Sequence, residues 1–499
     1  MDTFANLLLG LSVAVSPLNL FYCLIGALIG TLVGVLPGLG VVATLSMLLP
    51  ITLHLPPVAA LIMLAGIYYG AQYGGSTTSI LVNLPGESTS VVTCLDGYQM
   101  ARQGRAGAAL ATAALGSFFA GIVATGILVL FAPPLVKAAL LFGPAEYLSL
   151  MVLGLVTAVV LAHGSLLKAL AMIVLGLLLG SIGTDVNTGM ERMTFGITEL
   201  ADGVGFVPLS MGLFAVAEII RNLEKPEDRT VLGQRISRLW PTREDFRRAT
   251  PAVLRGTAVG SMLGILPGSG AILASFSAYM IEKKVSRTPE AFGRGAIEGV
   301  AAPEAANNAA AQTSFIPLLT LGIPSNAVMA LMAGAMTIQG IQPGPQVMSA
   351  RPDLVWGMII SMLLGNLMLL VINLPLIRIW VALLKIPYRI LYLGILAFCC
   401  VGTYTLNNSA FEVGLLIVFG FMGYVLAKLE CEPAPLLLAY ILGPLMEENL
   451  RRAMLLSGGD PSTFLTRPIS LGLLLFAGLM VVLALVPGLR RKRDQALAG

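Results

Sequence analysis

Long apolar runs, separated by short charged loops, fill most of this chain. Runs around residues 108–132, 144–162, 165–183 and 204–220, then 353–375, 388–405, 409–428, 433–446 and 468–487, each have the length and character of a buried or membrane-crossing helix. A shorter run over 4–16 reads as an interfacial or first packed helix. A further helix enters near Asn19 and breaks at Leu36-Pro37-Gly38-Leu39-Gly40. The chain resumes through Leu49, breaks again at Pro50 and Pro56-Pro57, and continues to about Tyr69. The expected fold is all-α, a polytopic membrane bundle of about 12 segments, some of them broken.

One interruption occurs twice. Gly-Thr-Leu-Val-Gly-Val-Leu-Pro-Gly-Leu-Gly over Gly30 to Gly40 is echoed by Gly-Ser-Met-Leu-Gly-Ile-Leu-Pro-Gly-Ser-Gly over Gly260 to Gly270, and Gly26 pairs with Gly256. Pro and Gly inside an apolar helix free backbone N–H and C=O groups that lipid cannot satisfy, so such a stretch is buried in protein or lines a wet cavity. Matched breaks in two halves point to the substrate site of a secondary transporter. The halves are expected at 1–225 and 251–489, joined by a charged cytoplasmic linker over 226–250 and followed by a basic tail over 490–499. An inverted relation suits alternating access, although the sequence leaves parallel repeats open.

Composition supports a membrane protein: 57% of the 499 residues are hydrophobic and 11% charged, against about 25% charged in soluble domains. The 55 Gly and 29 Pro suit close helix packing and helix breaks. No Lys or Arg precedes Arg102, so the N-terminus lacks the basic start of a secretory signal. Basic residues gather between Lys225 and Arg255, around Lys283 to Arg294, and in Arg490-Arg491-Lys492-Arg493, which the positive-inside rule places in the cytoplasm. The five cysteines lack C-x-x-C spacing and read as small packing residues.

Polar chemistry clusters beside the breaks. Gly38 and Gly40, with Gly268, Ser269 and Gly270, permit close backbone approach to a ligand. A restarting helix offers N–H groups to an anion, and the carbonyls ending the preceding half-helix suit a cation such as sodium. The bland alternative is a kink that lets helices pack closely. Ser76, Thr77, Thr78, Ser79, Asn83 and Gly86 in the first half face Asn307, Asn308, Gln312, Thr313, Ser314, Pro324, Ser325 and Asn326 in the second. Singly, such hydroxyls usually bond their own helix; clustered, they read as oxygen ligands and donors around one cavity. Thr78-Ser79-Ile80-Leu81 resembles Thr313-Ser314-Phe315-Ile316, and Leu84-Pro85-Gly86-Glu87 resembles Ile323-Pro324-Ser325-Asn326, with a longer interval in the second copy.

Glu87, Asp96, Glu298 and Glu304 are candidates for coupling-ion or gating work, since an acid within a membrane protein is a functional hypothesis by default. Glu87 and Asp96 at a loop surface, or Glu304 in a helix first turn after Pro303, are the alternatives. Met1 to Ala101 and Gly295 to Ala350 contain no Lys or Arg, so an anion there relies on backbone dipoles and co-bound cations. Arg102 and Arg294 stand just outside and could reach in. No Gly-Lys pair exists for a Walker A loop, and His54 and His163 form no H-E-x-x-H motif, so ATP-driven and metalloprotease chemistry are disfavoured and no cofactor is expected.

Gly34-Val35-Leu36-Pro37-Gly38-Leu39-Gly40, Tyr69-Gly70-Ala71-Gln72-Tyr73-Gly74-Gly75-Ser76-Thr77-Thr78-Ser79-Ile80-Leu81 and Asn83-Leu84-Pro85-Gly86-Glu87 resemble the large membrane subunit of the tripartite tricarboxylate transporter family. Glu298 to Ala309 and Gly322-Ile323-Pro324-Ser325 add to the resemblance. It implies a bacterial inner-membrane importer, not an enzyme, that works with a small membrane subunit and a periplasmic solute-binding protein. The implied cargo is a tricarboxylate or another organic carboxylate, driven by a sodium or proton gradient. A passive anion channel or scaffold subunit is the alternative; nucleic acid is not an expected partner.

Overall fold

The computed structural model describes residues 3–36, 40–162, 165–185, 188–224, 239–266, 270–383 and 388–485. The first group of helices is α1 (Thr3–Ala14), α2 (Pro17–Val35), α3 (Val41–Thr52), α4 (Pro57–Val82), α5 (Val91–Arg102) and α6 (Ala106–Ala139). Then come α7 (Pro144–Leu161), α8 (Leu166–Gly180), α9 (Phe206–Ser210) and α10 (Ala217–Glu224), the last two joined by a π-turn over Met211–Val216. Across the charged segment follow α11 (Arg243–Leu263), α12 (Gly270–Val285), α13 (Glu298–Thr313), α14 (Phe315–Leu321), α15 (Ala327–Ile338) and α16 (Pro345–Ala350). The chain continues through α17 (Pro352–Asn373), α18 (Ile377–Leu383), α19 (Tyr388–Asn407), α20 (Ala410–Lys428), α21 (Ala434–Leu456), α22 (Thr463–Thr466) and α23 (Pro468–Leu485). Among the described residues the only sheet is a short hairpin pairing Gly183–Thr184 with Glu191–Arg192.

This is a nearly all-α, multi-pass membrane protein. Among the described residues six helices are long and apolar enough to cross a bilayer, and six shorter apolar helices of 10–17 residues accompany them. Two of the helices outside both groups, α4 and α13, are buried along nearly their whole length. In α4 every residue from Ala59 to Val82 is buried, and all of α13 is buried too. Both are sheathed by other helices, so their polar side chains never meet lipid.

Glycine seams explain how the sheath closes. A Cβ added at Gly26, Gly30 or Gly34 of α2 would lie 2.3 Å from the carbonyl oxygen of Met63, Ile67 or Ala71 on α4. In the second seam, a Cβ at Gly256 or Gly260 of α11 would meet the Ala302 or Ala306 oxygen of α13 at 2.3 and 2.2 Å, and one at Gly264 would meet that of Ala310 at 2.5 Å. Only hydrogen at these positions allows backbone-to-backbone contact, the small-residue packing of membrane helices. The glycines of the two seams are 230 residues apart, while the carbonyls they meet are 239 apart. The additional nine residues fall between the breaks and the second helix of each seam, where the loop 286–297 stands in place of the short turn 53–56.

The 239-residue spacing also joins Asn83 (φ 61°) to Gly322 (φ 74°), each left-handed, the one ending α4 and the other ending α14. Leu84-Pro85-Gly86-Glu87 and Ile323-Pro324-Ser325-Asn326 share it. Thr78 and Thr313 do not: Thr313 falls at the position of Gly74, one helical turn earlier. The interval from Thr313 to Ile323 accordingly exceeds that from Thr78 to Leu84 by one helical turn.

Several sequence expectations shift. Pro50 does not break the chain; it lies inside α3, which ends at Thr52. The apolar helix after Pro57 does not stop near Tyr69, because the polar run Gly74 to Ser79 continues it to Val82. Residues 243–250, read as linker, open α11 behind a Thr242–Asp245 capping box. The first run is a packed helix, with Gly10 of α1 against the Trp356 carbonyl of α17. Of the matched breaks, 37–39 and 267–269 lie outside the described residues, as do 225–238, His163 and the basic tail.

Candidate functional site

A cavity of about 390 Å³ opens where the chain resumes after both breaks. Val41 and Val42 at the start of α3 line it, and so do Gly270, Ala271 and Ile272 at the start of α12. Asn326, Ala327 and Val328 bring a third helix start, that of α15. First-turn N–H groups have no partner within their own helix and carry the positive end of the helix dipole, so three helix starts around one cavity suit an anion. The far wall is the α9–α10 helix at its π-turn, with Leu213, Phe214, Ala217, Glu218 and Arg221. Such π-turns accompany functional sites in many proteins.

Tyr68 and Gln72 of α4 and the turn Glu87–Thr89 form the polar wall. Gln72 is buried, its Oε1 lying 2.8 Å from the Thr89 hydroxyl while its Nε2 has no hydrogen-bond partner. The same Thr89 hydroxyl bonds the Glu87 carboxylate. Glu87 itself caps the 3-10 turn Ser88–Ser90: Ser90 Oγ donates to the Glu87 carbonyl at 2.8 Å, and Ser79 Oγ lies 2.9 Å from Ser90 Oγ. Glu87 is thus buried at a cavity wall and not at a loop surface.

Behind this wall lies a second carboxylate. Glu304 is completely buried in α13, past the first turn, and accepts hydrogen bonds from Ser76 of α4 at 2.5 Å and from Thr93 of α5. Neither partner is a cation. One turn on, Asn308 donates to Ser117 of α6 at 2.7 Å, and nearby Tyr73 donates to Asn366 of α17 at 2.6 Å.

The other singled-out residues have local partners. Thr78 donates to the Val35 carbonyl at 2.7 Å and also lies 3.3 Å from that of Gly34, so it serves the end of α2 where a cation was expected. Gly86 packs onto the same helix end, and a Cβ there would lie 2.0 Å from the Gly34 oxygen. Asn83 is an exposed helix cap, and Asn326 caps α15 by accepting from Met329 N at 2.9 Å. Thr313 and Ser314 bond carbonyls of their own helix, and Ser325 bonds the Ser314 carbonyl at 3.2 Å. Thr77 and Pro324 are buried. Asn307 and the oxygen of Gln312 are buried with no partner. Gly40 is the N-cap of α3 and Gly270 opens α12, whereas Gly38, Gly268 and Ser269 lie outside the described residues.

Two of the four acids sit in structural cradles. Asp96 accepts from Tyr279 Oη at 2.9 Å and from the backbone N–H groups of Gly293, Gly295 and Ala296 at 2.8–2.9 Å. Glu298 forms a two-pronged ion pair with Arg248 at 2.7 and 2.9 Å. Arg102 and Arg294 are both exposed and absent from the cavity wall. Arg221 is the cation there, 3.3 Å from Glu218. Sequence reasoning missed Arg221, Tyr68 and Thr89 as wall residues and quoted Gln72 without a role. Gln72 lies one helical turn before Ser76, so the helical period was a signal for it.

Comparison with known proteins fits this architecture. An uncharacterized 52.8 kDa protein in the TAR-I ttuC′ 3′ region of Agrobacterium vitis is 59% identical over 495 residues, covering 99% of each chain. An uncharacterized protein in the TAR-II ttuC′ 3′ region of the same organism is 58% identical over 236 residues, 47% of this chain and 98% of its own length. No solved structure matches. Residues 20–438 match the tripartite tricarboxylate transporter TctA family, and the chain belongs to that family.

Proposed function

We propose that this chain is the large transmembrane subunit of a binding-protein-dependent importer of tricarboxylates or other organic carboxylates, coupled to sodium or protons. The observation that carries this reading is that the first residues after both breaks line one cavity, with a third helix start beside them. A carboxylate placed there meets N–H groups from three directions without needing a lysine. The two glycine seams, α2 with α4 and α11 with α13, act as the matched arms of an internal repeat, inverted as alternating access favours. Glu87 and Glu304 are the acids assigned to ion coupling, while Asp96 and Glu298 hold structure.

In this mechanism a periplasmic binding protein delivers the anion to the inner-membrane complex of this chain and its small membrane partner. Cargo and coupling cation occupy the cavity region together, and movement of one arm exposes them to the cytoplasm. The test is carboxylate uptake into proteoliposomes holding both membrane subunits and the binding protein, under a sodium gradient, a proton gradient, or neither. Accumulation above equilibrium under either gradient is the expected result. Equilibration without accumulation by an intact assembly would instead indicate a channel.

A further inference from the structure

The basic segments fix which end of each helix faces which side of the membrane. Helix α10 leads into the basic stretch from Lys225 to Arg255, which the positive-inside rule places in the cytoplasm. Lys428 at the end of α20 pairs with Glu224 at the end of α10, and Lys168 in the first turn of α8 donates to the Leu429 carbonyl at 2.7 Å. These three helix ends therefore share the cytoplasmic side. The 19 residues of α20 span about 28 Å at 1.5 Å per residue, so Glu412 in its first turn lies at the opposite face. The segment 181–205, which joins the far end of α8 to α9, is on that periplasmic face too: a Cβ added at Gly205 would lie 3.2 Å from the Glu412 carboxylate.

This segment is tied down and yet presents apolar side chains to water. Its hairpin is clamped to α21 by four charged groups. Arg451 reaches Asp185 at 2.8 Å and Glu447 at 2.6 Å, while Arg192 reaches Glu447 at 3.1 Å and Asp185 at 3.5 Å. Just beyond, Thr194 Oγ1 donates to the Glu191 carboxylate at 2.8 Å and Ile197 N donates to the Thr194 carbonyl at 2.9 Å. Met193 (φ 52°) and Phe195 (φ 53°) are both left-handed here, a conformation that bulky side chains rarely adopt. Phe195 is 85% exposed and Met190 69% exposed, and Met193 and Ile197 are exposed as well. Strained backbone that its surroundings hold in place accompanies binding sites, and apolar side chains gathered at a water-facing surface mark an interaction site.

We propose that the segment 188–202 is the docking surface for the water-soluble binding protein, which meets it with an apolar patch accompanied by basic residues. This rests on the binding-protein-dependent importer reading and adds where the partner lands. The charge of the segment selects the occupant. Glu191, Glu199 and Asp202 are exposed, whereas Arg192 is engaged by Glu447 of α21. The free face is therefore apolar and negative. Anionic lipid headgroups repel such a face, while a soluble protein with lysines or arginines beside an apolar patch is steered towards it. Height excludes a partner confined to the hydrocarbon. Tyr440 of α21 bonds the Val204 carbonyl near the start of α9, and the clamping residues Glu447 and Arg451 lie two to three turns further along α21.

The binding protein of the same system is titrated onto the full chain and its small membrane partner in lipid nanodiscs. Phe195→Asn keeps a residue that tolerates the left-handed backbone and removes the ring. Combined with Met190→Ser, it weakens binding about 10- to 100-fold, as loss of apolar anchors does. In uptake assays the same pair raises the binding-protein concentration needed for half-maximal rate and leaves the maximal rate unchanged. Glu199→Lys with Asp202→Lys slows association and flattens its dependence on salt. Leu475→Ala, on the exposed side of α23, changes neither. Met190→Ser alone, which leaves the strained turn untouched, decides the question if Phe195→Asn does not fold. A Phe195→Trp protein whose added fluorescence is quenched by brominated lipid, and unmoved by the binding protein, overturns the docking surface in favour of a lipid contact. A Phe195→Asn, Met190→Ser protein that binds as wild type does also overturns it and leaves the importer intact. A wild-type assembly that neither binds nor needs the binding protein overturns the reading beneath.

Discussion

The two glycine seams pack alike and differ in chemistry. Gly26, Gly30 and Gly34 meet α4 as Gly256, Gly260 and Gly264 meet α13, and at both ends a left-handed residue leads into a capping turn. At the common spacing, however, Gln72 corresponds to Ala311, Glu87 to Asn326 and Thr89 to Val328, while Glu304 corresponds to Ala65. Glu87 and Asn326 are both N-cap residues, so the local fold needs an oxygen acceptor at that position but not a charge. Scaffold and chemistry have separated: close packing demands small residues in both seams, whereas the buried acids Glu87 and Glu304 have no acidic counterpart at the common spacing.

The largest effect expected from this comparison is symmetric. Gly30→Leu and Gly260→Leu each drive a side chain into a facing carbonyl and should cost more than about 4 kcal/mol, leaving little folded protein in detergent. Gly478→Ala and Gly126→Ala, where a Cβ meets nothing within 4 Å, should change thermal stability by less than about 1 kcal/mol. A Gly260→Leu protein as stable as Gly478→Ala would break the equivalence of the seams. An intermediate effect should be one-sided. Asp96→Ala strips three backbone N–H groups in 293–296 of their acceptor, a loss of about 3 kcal/mol or more seen in thermal melts. The first half has no such cradle, because its 53–56 turn replaces the long loop that Asp96 pins. The smallest effect belongs to Asn326→Ala, which removes the cap of α15 and should lower stability by about 1 kcal/mol.

Much of the scaffold is legible in the sequence because it depends on local rules. Glycine every fourth residue before a Leu-Pro-Gly break marks a close helix seam, and apolar length marks α6, α17, α20 and α23. The course of α4 is not legible from local polarity. Gly74 to Ser79 reads as an interruption, but burial by neighbouring helices lets it remain helical, with Ser76 and Thr78 bonded to α13 and α2. The cavity wall is harder still, since residues near 41, 72, 87, 221, 270 and 326 meet only after folding. Arg221 illustrates the difficulty: in sequence it borders a charged linker, and only the packing of α10 brings it to the site.

The burial of α4 and α13 bears on how the protein is made. Neither helix is among the six apolar spans, and each carries polar groups whose transfer alone into lipid is unfavourable. Their stable insertion is expected to depend on the helices that cover them. For α4 the cover includes α2, an apolar span made earlier; for α13 it includes α11, which is not itself an apolar span. Substituting a seam glycine should therefore lower the yield of membrane-inserted protein as well as its stability.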